Sequence, residues 1–198
     1  MTTIQVAPPN IEVITLPIKG RTPLIVHRFD EKARQEMLEK QMKKAKGPKK
    51  AKDPEACYQR SRYLFDSDGG DGFPAVAFKS AAVRAAKMVD GLTMTDARQM
   101  FFVVADGRTK TGEECVRIKG EPKMREDVVR ISGGTSDLRY RAEYMEWSCE
   151  LTIEYDADTI SAEVIVNLFS RAGFSVGVGE WRPEKNGNFG TFTIGDTK

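Results

Sequence analysis

The chain has 198 residues, 40% of them hydrophobic and 30% charged, with a formal net charge of +2. That length suits one domain with enough apolar material for a core, and no apolar run reaches the roughly 18 residues a membrane span needs. Cys57, Cys115 and Cys149 lie far apart without paired spacing, which fits reduced thiols in a cytoplasm and not a disulfide frame or a zinc site. No basic-then-apolar leader opens the sequence, so no export address is expected.

Residues 1–10 read as a loose arm ending in Pro8-Pro9. Ile14, Leu16 and Ile18 alternate within Ile11 to Ile18, the period of a strand. Beyond Gly20-Arg21-Thr22-Pro23, Leu24-Ile25-Val26 reads as a second short strand. From Asp30 the apolar residues recur four apart (Ala33 and Met37, Leu38 and Met42), which predicts a helix that Gly47-Pro48 ends. Asp53-Pro54 starts a short helix through Cys57 towards Arg62. Asp66 to Gly72 is a turn cluster; a calcium loop would need a glutamate where Ala77 stands. An alanine-rich helix is expected from Lys79 to Val89. A phosphate-binding P-loop would need glycine directly before Lys79, and Phe78 occupies that place, so an NTPase is excluded.

Met100 to Ala105 reads as a strand, with Glu114 to Ile118 as its hairpin partner across Asp106-Gly107. Residues 120–142 are polar and rich in arginine, and read as an excursion in the form of a long hairpin. Trp147, Cys149, Leu151, Ile153 and Tyr155 then alternate with polar residues, as on an antiparallel sheet covered on one face. Ile160 to Ala172 predicts an amphipathic helix with Ile160, Val164, Leu168 and Phe169 inward and Gly173 as its stop. Phe189 to Ile194 closes the chain as a strand. Set aside residues 30–65, a basic helical insertion, and the 120–142 excursion. The order is then strand, helix, strand, strand, helix, strand. This predicts one α+β domain over 1–198: a ferredoxin-like (RRM-type) antiparallel sheet with helices on one side.

Charge is unevenly spread. From Lys32 to Lys52 nine cations face only Glu36 and Glu39, a local +7 that leaves −5 for the rest of the chain. Such polarity suggests a strongly anionic partner, nucleic acid first, against the alternative of a solvated lysine-rich loop. Between Gly177 and Gly190 the sequence places four glycines, Trp181 and Phe189, and the cations Arg182 and Lys185. A loop that spreads glycines in this way lets another backbone or a phosphate chain come close, unless it is only an ornate surface hairpin. The candidate contacts are Lys43, Lys44, Lys46, Lys49, Lys50 and Lys52 in the lysine run; Arg125, Arg130, Arg139 and Arg141 in the excursion; and Trp181, Arg182 and Lys185 in the glycine loop. His27, Arg28 and Lys79, the last near a helix N-terminus, join them. Tyr140 and Tyr144 either stack on bases or pack.

Catalytic chemistry is thin. The single histidine, His27, cannot build a histidine-rich metal site, and Glu180 with Glu184 reads as charge balance around Arg182 and Lys185. No catalytic residue, metal or cofactor is expected.

Two segments resemble the RAMP superfamily, the group that contains the backbone subunits of CRISPR effector complexes. Phe73 to Arg84 is similar to the family's proline, short apolar strand, then lysine and a small residue opening the first helix, although Ser80 stands where glycine is frequent and Arg84 falls one residue late. The glycine-rich 177–190 loop is similar to the one that in that family lies against the RNA backbone. The whole chain also resembles a set of uncharacterised phage and prophage proteins, through Gly20 to Phe29 and Gly179 to Glu184. The three cationic elements, with Arg84 among the candidate contacts, make the leading reading a non-catalytic, sequence-independent binder of single-stranded RNA or DNA; the RAMP likeness implies copies stacked head to tail in a filament. It also implies Asp127 or Asp137 as the residue to test for RNA cleavage. The phage likeness implies the bacterial host cytoplasm as the setting. The alternative function is a phage structural or host-interaction protein whose basic segments dock an acidic protein.

Overall fold

The computed structural model describes residues 7–29, 31–42, 52–130, 134 and 136–195, with backbone alone for 31–33, 36 and 40. The first half of the chain holds strands β1 (Ile11–Gly20) and β2 (Leu24–Val26), helices α1 (Glu31–Gln41) and α2 (Pro54–Arg60), strands β3 (Tyr63–Leu64) and β4 (Asp71–Pro74), and helix α3 (Ala75–Ala85). The second half holds helix α4 (Met94–Met100), strands β5 (Phe101–Val104), β6 (Gly107–Arg108) and β7 (Glu114–Arg117), and the pair β8 (Pro122–Arg130) and β9 (Ser136–Tyr144). Strand β10 (Ser148–Asp156), helix α5 (Ala162–Ser175) and strand β11 (Phe192–Ile194) complete it. The architecture is α+β, with antiparallel sheets.

Period-two alternation decides the centre of the molecule. In β10 the residues Cys149, Leu151, Ile153 and Tyr155 are buried while Glu150 and Glu154 are exposed. Register carries this face across the sheet: Ile18 pairs with Cys149, Leu16 with Leu151, Ile153 with Val103. The strand order is β11-β1-β10-β5. Helices α3 and α5 pack on the buried face, α3 through Ala81, Ala82 and Ala85, α5 through Ile165, Leu168, Phe169 and Ala172. Edge-to-face rings lock the layers, Phe101 on Phe169 and Phe78 on Phe192, each pair 5.9 Å between centroids. Each large side chain so buried contributes about 1.5–3 kcal/mol.

Two smaller sheets flank this core, ordered β2-β9-β8 and β3-β4-β7-β6. The long hairpin read over 120–142 is formed by β8 and β9. β2 pairs only with Ala142 to Tyr144, so the remainder of β9 extends past it as an arm. On one face of the arm stand Lys123, Arg125, Asp127, Arg139, Arg141 and Glu143; the opposite face meets α2, where Ser61 Oγ accepts from the Ala142 amide. Residues 30–65 include α1 and α2, as the helical reading expects.

Several expectations fail for identifiable reasons. Helix α3 starts at Ala75, not Lys79: Ala75, Phe78, Ala82 and Ala85 already recur at helical spacing, so the expected apolar strand over Ala75 to Phe78 does not form. Lys79 is therefore the fifth residue of the helix and does not sit at its N-terminus. β7 pairs with β6 and β4 rather than with β5, so the expected hairpin with Met100 to Ala105 is absent. Helix α4 is additional to the expected elements, although Thr93 and Asp96 form a reciprocal capping box that the sequence displays. In α5 the inward residue is Ile165, and Val164 is exposed.

Gly173 does not stop α5, which runs on to Ser175. Its role is close approach, because a Cβ there would run into the Phe192 carbonyl of β11. Gly173→Ala is expected to destabilise the fold by about 1–3 kcal/mol through overpacking. In an open helical site the same change stabilises by up to about 1 kcal/mol. Urea unfolding of the variant reads the sign.

Candidate functional site

The glycine loop is folded tightly on itself. A Cβ on Gly190 would run into the Val178 carbonyl, and one on Gly187 into the Trp181 carbonyl. Both approaches are between segments of the loop itself, so these glycines serve its own backbone. The loop is pinned to β2 and its approach: Glu180 N–H donates to Ile25 O at 3.0 Å and Gly190 N–H to Pro23 O at 2.8 Å.

Two non-glycine residues of this loop, Trp181 and Asn186, are left-handed, and Trp181 is the bulky one. It adopts φ 52°, a left-handed conformation that is costly for a bulky residue. Its ring is held from the arm: the Arg141 guanidinium lies 5.1 Å and that of Arg125 5.4 Å from the ring centroid. Arg125 also stands 4.9 Å from the Phe189 ring. The guanidinium–aromatic stack therefore joins loop to arm within the protein.

Arg141 is 1% exposed and forms the centre of this contact. Its Nη2 donates to Asp127 Oδ2 at 2.6 Å, while Nη1 lies 3.5 Å from Glu180 Oε2 and Nε has no partner among the described residues. Arg125 joins from the same face, donating to Asp127 at 2.9 Å and to Glu143 at 2.7 Å. Asp127, 7% exposed, is thus consumed by two arginines and is not a free acid for cleavage chemistry.

Beside the loop lies a cavity of about 320 Å³ between α3, β4 and the segment 176–184. Phe73, Pro74, Ala77 and Ala81 form its apolar walls, with Tyr63 at one side. Burial pushes the Tyr63 phenol up to about 12, so it stays a neutral hydroxyl. His27 and Glu180 stand together at the cavity, Nδ1 3.7 Å from Oε1. Arg84 and Arg182 both pair with Glu184 and line it as well.

No known protein family matches this chain. No curated protein matches it in sequence either. Among solved structures, the crystal structure of Cmr6 from Pyrococcus furiosus is similar at a TM-score of 0.44, with 11% identity over 94% of this chain and 99% of that one.

The sequence-derived candidates fall into distinct groups. His27, Arg84 and Arg182 meet at the cavity, while Arg125, Arg141 and Trp181 form the stack behind the loop. Arg28 is turned elsewhere, donating to Glu113 and Thr111. Lys79 is separated from the rest: at 3.6 residues per turn it projects away from Ala77, Ser80, Ala81 and Arg84, and its ammonium lies 3.8 Å from the Phe102 ring centroid. Lys52 binds the Asp137 carboxylate and the Leu138 carbonyl, the latter at 2.8 Å. Lys43, Lys44, Lys46, Lys49 and Lys50 lie outside the described residues. Among the described residues no carboxylate closes an ion pair with Arg130, Arg139 or Lys185. Tyr144 is a packing residue, 1% exposed, and its hydroxyl donates to Asp71 at 2.6 Å. The role of Asp127 as partner of Arg141 and of Phe189 in the stack is not visible in the sequence, because both depend on segments that meet only in the fold.

A separate, hydrogen-bonded carboxylate gives a pH signature. Burial raises the Glu113 carboxyl, but hydrogen bonds from Thr109, Thr111 and Arg28 outweigh it and bring the pKa down to about 2, from an ordinary 4.5. A depressed carboxyl contributes stability that is fully present above the ordinary value and is lost as pH falls towards the folded one. Thermal melts should therefore show a midpoint falling between pH 4.5 and 2, and Glu113→Gln should flatten that part of the profile.

Proposed function

We propose that this chain is a non-catalytic, sequence-independent binder of single-stranded nucleic acid, with the β8–β9 arm as its main contact surface. One observation carries the reading. Lys52, the last cation of the lysine-rich run, is docked on Asp137 and Leu138 of β9 on the side of Arg139, while Arg130 stands at the end of β8 on the arm's opposite face. Two basic segments far apart in sequence thus meet on one arm, the arrangement a polyanion groove requires. The paired cations Arg84, Arg125, Arg141 and Arg182, and Lys52 itself, contribute less charge, because each already faces a carboxylate; Lys52 marks where the lysine run meets the arm.

The fold reading that accompanies this is ferredoxin-like and RAMP-like. Taken along the sheet, β11, β1, β10 and β5 are the fourth, first, third and second strands of the expected strand–helix–strand, strand–helix–strand order. On this reading copies stack head to tail into a filament, and the exposed apolar residues of the arm, Met124, Val128 and Leu138, serve as the contact to a neighbour. A second reading is favoured by the same residues together with Phe29, Met37, Leu38 and Met42 around α1, all exposed. There the basic segments dock an acidic protein, as in a phage structural or host-interaction protein.

Fluorescence anisotropy with labelled single strands and duplex, repeated at rising salt, separates the two. Single strands should bind regardless of sequence, with affinity falling steeply as salt rises. Replacing Arg130 and Arg139 by alanine should weaken all sequences alike and lower the salt slope by about 1 for each phosphate left without its cation. No binding to any strand, or binding indifferent to salt, overturns the proposal.

A further inference from the structure

We propose that the cavity beside the glycine loop takes one guanine ring, with the Glu180 carboxylate accepting from its two adjacent N–H donors. A carboxylate short of donors motivates this. Glu180 lines the cavity with its side chain 39% exposed, and the nitrogens that pair with it are both distant, His27 Nδ1 at 3.7 Å and Arg141 Nη1 at 3.5 Å. A charge-assisted hydrogen bond is shorter, about 2.7–2.9 Å. Both oxygens therefore keep capacity to accept. The His27 imidazole, foremost, and then Arg141 hold this carboxyl below its usual range against burial, so it is an acceptor only. Glu184 differs, since two guanidiniums already hold it.

The rest of the cavity suits a flat ring with an anionic tail. Phe73 and Tyr63 give it aromatic walls, and Ala77 and Ala81 leave width on the α3 side. Arg84, 46% exposed, lines the same cavity and has guanidinium donors beyond the one it gives to Glu184. At about 320 Å³ the volume is at the lower end for small-molecule clefts, room for one nucleotide. Guanine alone among the common bases sets two N–H donors side by side on its pairing edge, the match for a two-oxygen acceptor. Adenine and cytosine set an amino group beside an acceptor nitrogen, and uracil sets one N–H between two carbonyls.

The ring can come from a free guanine nucleotide or from a nucleotide within a strand. In the second case the inference rests on the nucleic-acid reading above and adds a preference for one base to binding otherwise indifferent to sequence. Calorimetric titrations with GMP, IMP, AMP and UMP address the first source, and anisotropy with strands that carry or lack one guanine addresses the second. Whichever source applies, guanine should be favoured roughly tenfold or more, because IMP lacks the second donor. Glu180→Gln should erase that preference. Ala77→Leu, which adds bulk on the α3 wall of the cavity, should abolish guanine binding while circular dichroism stays unchanged. Equal affinity for GMP and IMP, a guanine preference that survives Glu180→Gln, or no guanine-dependent binding in either form overturns the pocket. In the last case, strands without guanine that still bind with a steep salt slope leave the nucleic-acid reading standing alone.

Discussion

Burying the Arg141 guanidinium is the constraint on which the functional end of this protein is built. Removing such a charge from water costs several kcal/mol even after the surroundings relax, and only close compensation makes it tolerable. Asp127 supplies that at 2.6 Å, with the Trp181 ring facing the guanidinium at 5.1 Å and Glu180 further off. Because Arg141 and Asp127 sit on the arm while Glu180 and Trp181 sit on the glycine loop, one charge fixes the two elements against each other. The left-handed Trp181 is explained by the same contact: its ring is held by two guanidiniums, and the backbone follows.

This changes what the basic residues are for. Cations that a sequence count assigns to a polyanion turn out to be divided between two tasks. Arg125, Arg141, Arg84 and Arg182 are matched with carboxylates and hold the loop, arm and α3 together. Arg139 stands opposite Asp127 on the same face without an ion pair among the described residues, Arg130 lies on the other face of the arm, Lys52 docks on Asp137, and Lys79 lies on the far side of α3 against Phe102. One continuous groove through Lys79, Arg139 and Arg182 is therefore not what the fold builds. On the proposed reading the binding surface contracts to the arm, and the loop forms a wall of the cavity.

Local pattern is legible where a single element's burial decides the outcome. The alternation of β1 and β10 and the amphipathic period of α5 follow from residues that are neighbours in sequence, and so does the long β8–β9 hairpin. The start of α3 is misread from sequence because Pro74 and a short apolar run resemble a strand, while the alanines that bury its face continue the helical period back to Ala75. The pairing of β7 with β4 is hidden because strand partners depend on topology and not on proximity in the chain. The site is the least legible part. Nothing within the arm's sequence tells Arg141, which is buried, from Arg139, which is half-exposed; the difference is made by a loop some forty residues later.

Hydrogen exchange on Arg141→Met measures the central claim most directly. If one buried guanidinium joins loop to arm, amides in residues 177–190 and along β8 should lose protection while those of β1 and β10 keep theirs. Unchanged protection of the loop, or a loss spread evenly over the whole sheet, would contradict it.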